Sequence, residues 1–158
     1  GAEVLGEGDG YLASRLCSLG GDQVIRVPRE AGESPFYQGE RRRPVIQMNG
    51  RETFKFAVNS LCADLRAVLS EAGAAPEDVA WVVAHQANVR ILQAAMQRLP
   101  IPPERFFINI EHCGNTSAAS VPLALDELNR SGGLKRGDLV ALCAFGGGLS
   151  SAACLLRW

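Results

Sequence analysis

Six apolar residues in succession, Val79-Ala80-Trp81-Val82-Val83-Ala84, lie between two stretches of helical spacing and end abruptly in His85-Gln86-Ala87-Asn88. A run that short, with no polar residue at alternate positions, offers no face to water, and it predicts a strand buried on both sides. Such strands belong to parallel sheets covered by helices. The flanking segments agree. Upstream, Phe54, Val58, Leu61, Leu65, Val68 and Ala72 recur at alternating steps of four and three, which predicts a helix over 51–72. Phe56, Ala57, Cys62 and Leu69 widen that stripe, so the helix is expected to be largely covered, with Cys62 as core filler and Gly73 as its stop. Downstream, Val89, Leu92, Met96 and Leu99 predict a second helix, with Met96 in the core rather than ligating a cofactor.

The rest of the chain repeats the alternation. A strand is expected over 11–19, closed by Gly20-Gly21. Residues 22–47 read as a long loop with three prolines, two glycines and the run Arg41-Arg42-Arg43, which is either solvated surface or a docking site for an acidic partner. Pro100 to Glu104 breaks the chain before a strand over 106–110. A third helix follows the Gly114-Asn115 turn and runs to about Arg130, with Pro122 in its first turns or kinking it, and Ser131-Gly132-Gly133 ends it. Strands over 138–144 and 152–157 flank Phe145-Gly146-Gly147-Gly148, a turn too short for anything but an antiparallel pair. The predicted fold is α/β, a mixed and mostly parallel five-stranded sheet covered by helices. Gly1 to Leu5 reads as the end of a strand and Gly6 to Gly10 as a turn, so a chain cut from something longer is expected.

Charge and cysteine usage narrow the class. A net charge of -1 argues against nucleic acid as the main partner. No apolar run is long enough to span a bilayer, and no charged-then-apolar leader pattern opens the sequence. Cys17, Cys62, Cys113, Cys143 and Cys154 are odd in number and contain no C-x-x-C pair, so reduced thiols in a cytoplasmic protein are expected and a metal cage is not.

Ligands of parallel α/β sheets gather beyond the carboxyl ends of the strands. Three features fall there: His85, Asn115 and the glycines 146–148. Gly114 allows a sharp bend that aims Asn115 outward, although Gly-Asn-Thr-Ser is equally good material for an ordinary Asx turn and helix cap. A lone histidine after a buried strand is often structural. Together, a neutral imidazole N–H and a carboxamide N–H can hold a carbonyl oxygen as it gains negative charge. The glycine turn exposes backbone N–H groups suited to a second such oxygen; without a following Gly-Lys-Ser/Thr it is not a phosphate loop. His112, ahead of the turn glycine, reads as structural.

His85-Gln86-Ala87-Asn88-x-Arg90-Ile91, Gly114-Asn115-Thr116-Ser117-Ala118-Ala119-Ser120-Val121-Pro122 and Ala144-Phe145-Gly146-Gly147-Gly148 together resemble the C-terminal half of β-ketoacyl-[acyl carrier protein] synthase III, a thiolase-fold condensing enzyme. The likeness runs from about Met48 to the C-terminus. It implies a remnant of the N-terminal half over 1–9 and a C-terminal catalytic half-domain over 10–158. It further implies a decarboxylative Claisen condensation of an acyl-CoA primer, acetyl-CoA first among candidates, with malonyl-acyl carrier protein to initiate fatty acid synthesis. Coenzyme A enters as a thioester substrate, and no cofactor or metal is implied. By the resemblance, His85 and Asn115 bind the malonyl thioester carbonyl and stabilise the enolate. Phe145 keeps the carboxylate's surroundings apolar, and Gly147 helps build an oxyanion hole. Phe54, Asn88 and Arg51 fall at coenzyme A and pantetheine positions, and Lys55 and Arg90 at positions where the acidic carrier protein docks. Expected partners are the carrier protein, acyl-CoA, the missing N-terminal half and a second copy in a homodimer, with neither nucleic acid nor membrane among them.

The sequence departs from the family pattern at several points. Arg51 replaces an asparagine, Cys113 a larger residue and Leu149 an aromatic, and the nucleophilic cysteine, which belongs to the other half, is absent. Cys113 reads as packing rather than as a substitute nucleophile. The isolated chain is therefore expected to be inactive. Two alternatives stay open: a relative that transfers acyl groups in secondary metabolism, and a non-catalytic half-domain that self-associates through the face its partner half would cover.

Overall fold

The computed structural model describes residues 10–27 and 45–158. Gly10–Ser18 (β1), Val79–Ala84 (β4), Leu139–Gly146 (β5) and Ser150–Arg157 (β6) form one sheet in the order β1-β6-β5-β4. Ile25–Arg26 (β2) and Gln47–Met48 (β3) pair antiparallel as a separate small ribbon. The helices are Gly50–Glu71 (α1), Val89–Met96 (α2), Ile110–Cys113 (α3) and Ser120–Arg130 (α4). The Arg41–Arg43 run and the expected remnant over 1–9 lie outside the described residues.

The long periodic stretch folds as its spacing dictates. Asn49 caps α1, its Oδ1 accepting from the Glu52 N–H at 3.2 Å. Val58, Leu61, Leu65 and Val68 are at most 2% exposed, and Cys62 is core filler as expected. The stripe frays at its start, where Phe54 is 37% exposed. Gly73, at φ +63°, ends the helix in a paired motif: Gly73 N–H donates to Ser70 O at 3.2 Å and Ala74 N–H to Leu69 O at 3.0 Å. Met96 of α2 is half-buried against the core, and Pro122 occupies the first turn of α4, where its missing N–H costs nothing. No helix among the described residues is long and apolar enough to cross a membrane.

The sheet is mixed: β4 runs parallel to β5, Val82 opposite Ala141, whereas β6 is antiparallel to both β5 and β1. Its strands number four, against the five predicted, and one ladder is parallel while two are antiparallel. Residues 106–110 lie beside β4 but make a single parallel bridge, Phe106 to Val82, and the chain then turns into α3. A side chain explains why no ladder forms. Gln86, fully buried, donates through Nε2 to Ala84 O at 2.9 Å and Phe107 O at 3.2 Å, and its Oε1 accepts from Asn109 N–H at 3.3 Å. Backbone groups that a fifth strand would pair with a neighbour are satisfied by a carboxamide instead. At the other end the β5–β6 hairpin is tighter than predicted, with β5 reaching Gly146 and β6 starting at Ser150.

Two cores result, one on each face of the sheet. Val79, Val82, Ala141, Cys143, Ala153 and Leu155 pack under α1 and α2. Val83 and Val140 pack under Ala124 and Leu128 of α4. The second cover is partial, because α4 lies chiefly over β4 and β5, with Leu156 of β6 at the margin of its cluster. Leu16 of β1, 84% exposed, and Ala152 of β6 line an open apolar cavity of about 500 Å³ with Ala144 and Phe145.

Candidate active site

β4 delivers His85 to the carboxyl edge of the sheet. Its N–H donates to Cys143 O at 2.8 Å, which carries the parallel pairing one residue past the strand and fixes the backbone from which the imidazole projects. The ring stands edge-on to Phe145, centroids 5.2 Å apart at 69°. Its Nδ1 pairs with the Ser120 hydroxyl, and that oxygen also accepts the Gln86 N–H at 3.3 Å. Burial holds the imidazole below the usual histidine range, so the ring is neutral near pH 7. The sequence-based expectation of a neutral N–H donor at this edge requires that state.

Asn115 follows from the turn chemistry. Gly114 adopts φ 70° and ψ -166°, a conformation closed to residues with a side chain. Asn115 Oδ1 accepts from Ser117 N–H at 3.0 Å, and Ser117 itself sits at φ 56°. The Asx turn and the outward carboxamide are thus the same feature. With the oxygen held, the amide nitrogen of Asn115 has no partner among the described residues, and the side chain is exposed. A 3-10 turn, Ser117–Ala119, then leads into α4 at Ser120, so His85 and Asn115 are tied to one corner through Ser120 with no hydrogen bond between them.

Behind this corner Glu127 of α4 braces the segment before the turn. It accepts from Asn109 Nδ2 at 2.8 Å and pairs with His112 Nε2 at 2.9 Å. These bonds, Asn109 first, hold its carboxyl below the usual carboxylate range. His112 is structural, and Cys113 accepts a long contact from Asn109 Nδ2 at 3.6 Å. Donor atoms of His112, Cys113 and Glu127 lie within 4.8 Å of one another, the one grouping a metal could bridge among the described residues, but the direct His112–Glu127 pair already satisfies two of them.

The remaining predicted positions occupy the same end of the molecule. Gly147 is exposed in the β5–β6 turn, and a Cβ there would meet Ile25 O at 3.2 Å, so the close approach of β2 leaves little room for a side chain. Arg51, Phe54 and Lys55 are exposed on the first turns of α1, and Lys55 lines a cavity of about 400 Å³ shared with Leu149 of that turn. Asn88 caps α2, accepting from Arg90 N–H at 2.9 Å, and both residues are exposed directly after His85-Gln86-Ala87. Sequence reasoning missed Ser120 and Gln86. Gln86 follows His85 in His85-Gln86-Ala87-Asn88, yet nothing in the residue pattern indicates that its side chain turns inward.

Residues 69–158 match the family model described as 3-oxoacyl-[acyl-carrier-protein (ACP)] synthase III C terminal. Over 163 residues the chain is 44% identical to the β-ketoacyl-[acyl-carrier-protein] synthase III of Desulfotalea psychrophila, covering 100% of this chain and 50% of that protein. The crystal structure of the Aquifex aeolicus 3-oxoacyl-[acyl-carrier-protein] synthase III superposes with TM-score 0.85 at 42% identity, over 96% of this chain and 45% of that one. The priming β-ketosynthase of the R1128 polyketide biosynthetic pathway superposes with TM-score 0.82 at 33% identity, over 94% and 45%. The chain spans about half the length of the curated relatives it matches. It belongs to the 3-oxoacyl-[acyl-carrier-protein] synthase III family, and what it represents is the C-terminal half of that fold.

Proposed function

We propose that the protein containing this half joins an acyl-CoA primer, acetyl-CoA in the simplest case, to malonyl-acyl carrier protein by decarboxylative Claisen condensation, the step that initiates fatty acid synthesis. The observation that carries the proposal is a neutral imidazole, held at the sheet edge beside an aromatic ring and tied to the same corner as an outward carboxamide. The malonyl thioester carbonyl accepts from the His85 and Asn115 N–H groups. As the C–C bond to the carboxylate breaks, carbon dioxide leaves and the electron pair moves to that oxygen, where the two donors stabilise the enolate. Phe145 keeps the departing carboxylate out of water, which favours its loss as a neutral molecule. The enolate carbon attacks an acyl thioester on the cysteine of the other half, the backbone around Gly147 holds the second oxyanion, and the thiolate leaves.

Phe54, Asn88 and Arg51 line the approach of the pantetheine arm, and Lys55 and Arg90 meet the acidic carrier protein. The other half covers the open apolar face of β1 and β6. The whole protein acts as a cytoplasmic homodimer, and this chain alone is inactive. The test uses full-length protein with acetyl-CoA and malonyl-carrier protein. His85→Ala and Asn115→Ala are expected to abolish carbon dioxide release while leaving transfer of the acetyl group to the cysteine intact. Loss of acyl transfer with decarboxylation retained would sink the assignment.

A second reading is favoured by Leu149, which stands in place of an aromatic beside the glycine turn, and by the likeness to a polyketide priming enzyme. In it the protein acts in secondary metabolism on a different primer. Competition between acetyl-CoA and longer or branched acyl-CoA primers separates the two.

A further inference from the structure

We propose that Ser120 is the positioning residue of this site, whose hydroxyl donates to His85 Nδ1 and so fixes the imidazole in the tautomer that carries its proton on Nε2. The proposal deepens the condensing-enzyme reading and rests on it for its kinetic consequence, though not for the tautomer itself.

A serine hydroxyl has a single hydrogen and two lone pairs. Ser120 is 2% exposed, so its oxygen has no access to bulk water. One lone pair accepts the Gln86 N–H at 3.3 Å, and the oxygen also pairs with His85 Nδ1. Two arrangements satisfy that pairing. If Nδ1 bore the proton it would donate to the oxygen, and the hydroxyl hydrogen would need a third partner; among the described residues there is none. If the hydroxyl donates, every group is satisfied. A buried donor left unmade is the more costly outcome, so the second arrangement holds and Nδ1 is an acceptor. The neutral ring then bears its proton on Nε2, which has no partner among the described residues and is the nitrogen left to meet a substrate oxygen.

The fold brings this contact together from two elements. Ser120 is the first residue of α4, one past the N-cap Ala119, and α4 has no side-chain cap that would engage its hydroxyl. The 3-10 turn before it sends the hydroxyl to the end of β4 instead, and the same oxygen holds the backbone immediately after His85. Ser120 thus sets both the position of the ring and the nitrogen that donates.

The test uses full-length protein labelled with nitrogen-15 in histidine, with His85→Gln identifying the His85 signals. A pyridine-type Nδ1 and a pyrrole-type Nε2 are expected in the wild type; the reverse pattern would overturn the proposal, with no variant and no turnover involved. Ser120→Ala is expected to scramble that signature and to lower kcat for malonyl decarboxylation by roughly tenfold to hundredfold, the range for groups that orient an imidazole, with KM little changed. Ser120→Thr, which keeps the hydroxyl, is expected to restore signature and rate together. An unaltered kcat in Ser120→Ala would also overturn it. A wild type with the expected tautomer but no decarboxylation refutes the functional reading and leaves the positioning role of Ser120 intact.

Discussion

Replacing Gln86 by Leu would remove the group that stands in for a fifth strand. The two side chains are similar in volume, so the change deletes hydrogen bonds without opening a large cavity. Three bonds vanish, to Ala84 O, Phe107 O and Asn109 N–H, each contributing about 1 kcal/mol net in ordinary circumstances. The larger cost lies in the groups left behind. Asn109 is 1% exposed, so its N–H is stranded without water, at roughly 1–3 kcal/mol for such an orphan. Allowing for apolar contacts that Leu gains, a loss of about 3–5 kcal/mol is expected, a large share of the roughly 5–15 kcal/mol typical of a folded domain. Urea denaturation reads this as a lower midpoint at unchanged slope. Trp81, edge-on to Phe107 with centroids 6.4 Å apart, gives a fluorescence probe at the affected segment. Hydrogen exchange at the Asn109 amide is expected to be slow in the wild type and fast in the variant. A stability change under about 1 kcal/mol, or persistent protection at Asn109, would refute the reasoning that this carboxamide replaces a ladder.

Two further outcomes follow from titrating groups. Glu127 has its folded pKa depressed by Asn109 and His112, so its contribution to stability is complete above the ordinary glutamate value of about 4.3 and is lost as pH falls through the lower folded value. Glu127→Gln is therefore expected to flatten the decline of stability in that acid window, measured by thermal melts from about pH 6 down to about pH 2, well below the ordinary glutamate value; an unchanged acid slope counts against the bracing role. Cys143 has its thiol pushed up to about 12, chiefly by burial. At pH 8 only about one molecule in ten thousand carries the thiolate, so iodoacetamide is expected to spare Cys143 until the protein unfolds. Modification at the rate of a free thiol in the folded protein would contradict the packing described for β5.

Helix α1 and strand β4 were legible because each is decided by its own periodicity: a stripe at 3.6 residues buries one side, and an unbroken apolar run buries two. The Gly114-Asn115 corner was legible for a related reason, since these two residues encode their turn locally. Residues 106–110 read as a strand because Phe106-Phe107-Ile108 has strand composition, and only the inward fold of Gln86, twenty residues earlier, decides otherwise. Ser120 was illegible for the same reason. A serine at a helix start reads as a cap, and its partner lies 35 residues away on another element. The exposure of Phe54 also escaped periodicity, because a stripe indicates which side a helix buries and not where its cover ends.

β1 is the last strand of its sheet, nine residues long, and among the described residues nothing pairs with its outer edge. Its far side presents Leu16 and Tyr11 to solvent. A row of unused amide and carbonyl groups beside bare aliphatic carbon is the surface on which chains template one another into aggregates. Produced without its complement, this half is expected to be limited first by solubility, and adding the complementary half during refolding, rather than lowering temperature or salt, is the remedy that its shape prescribes.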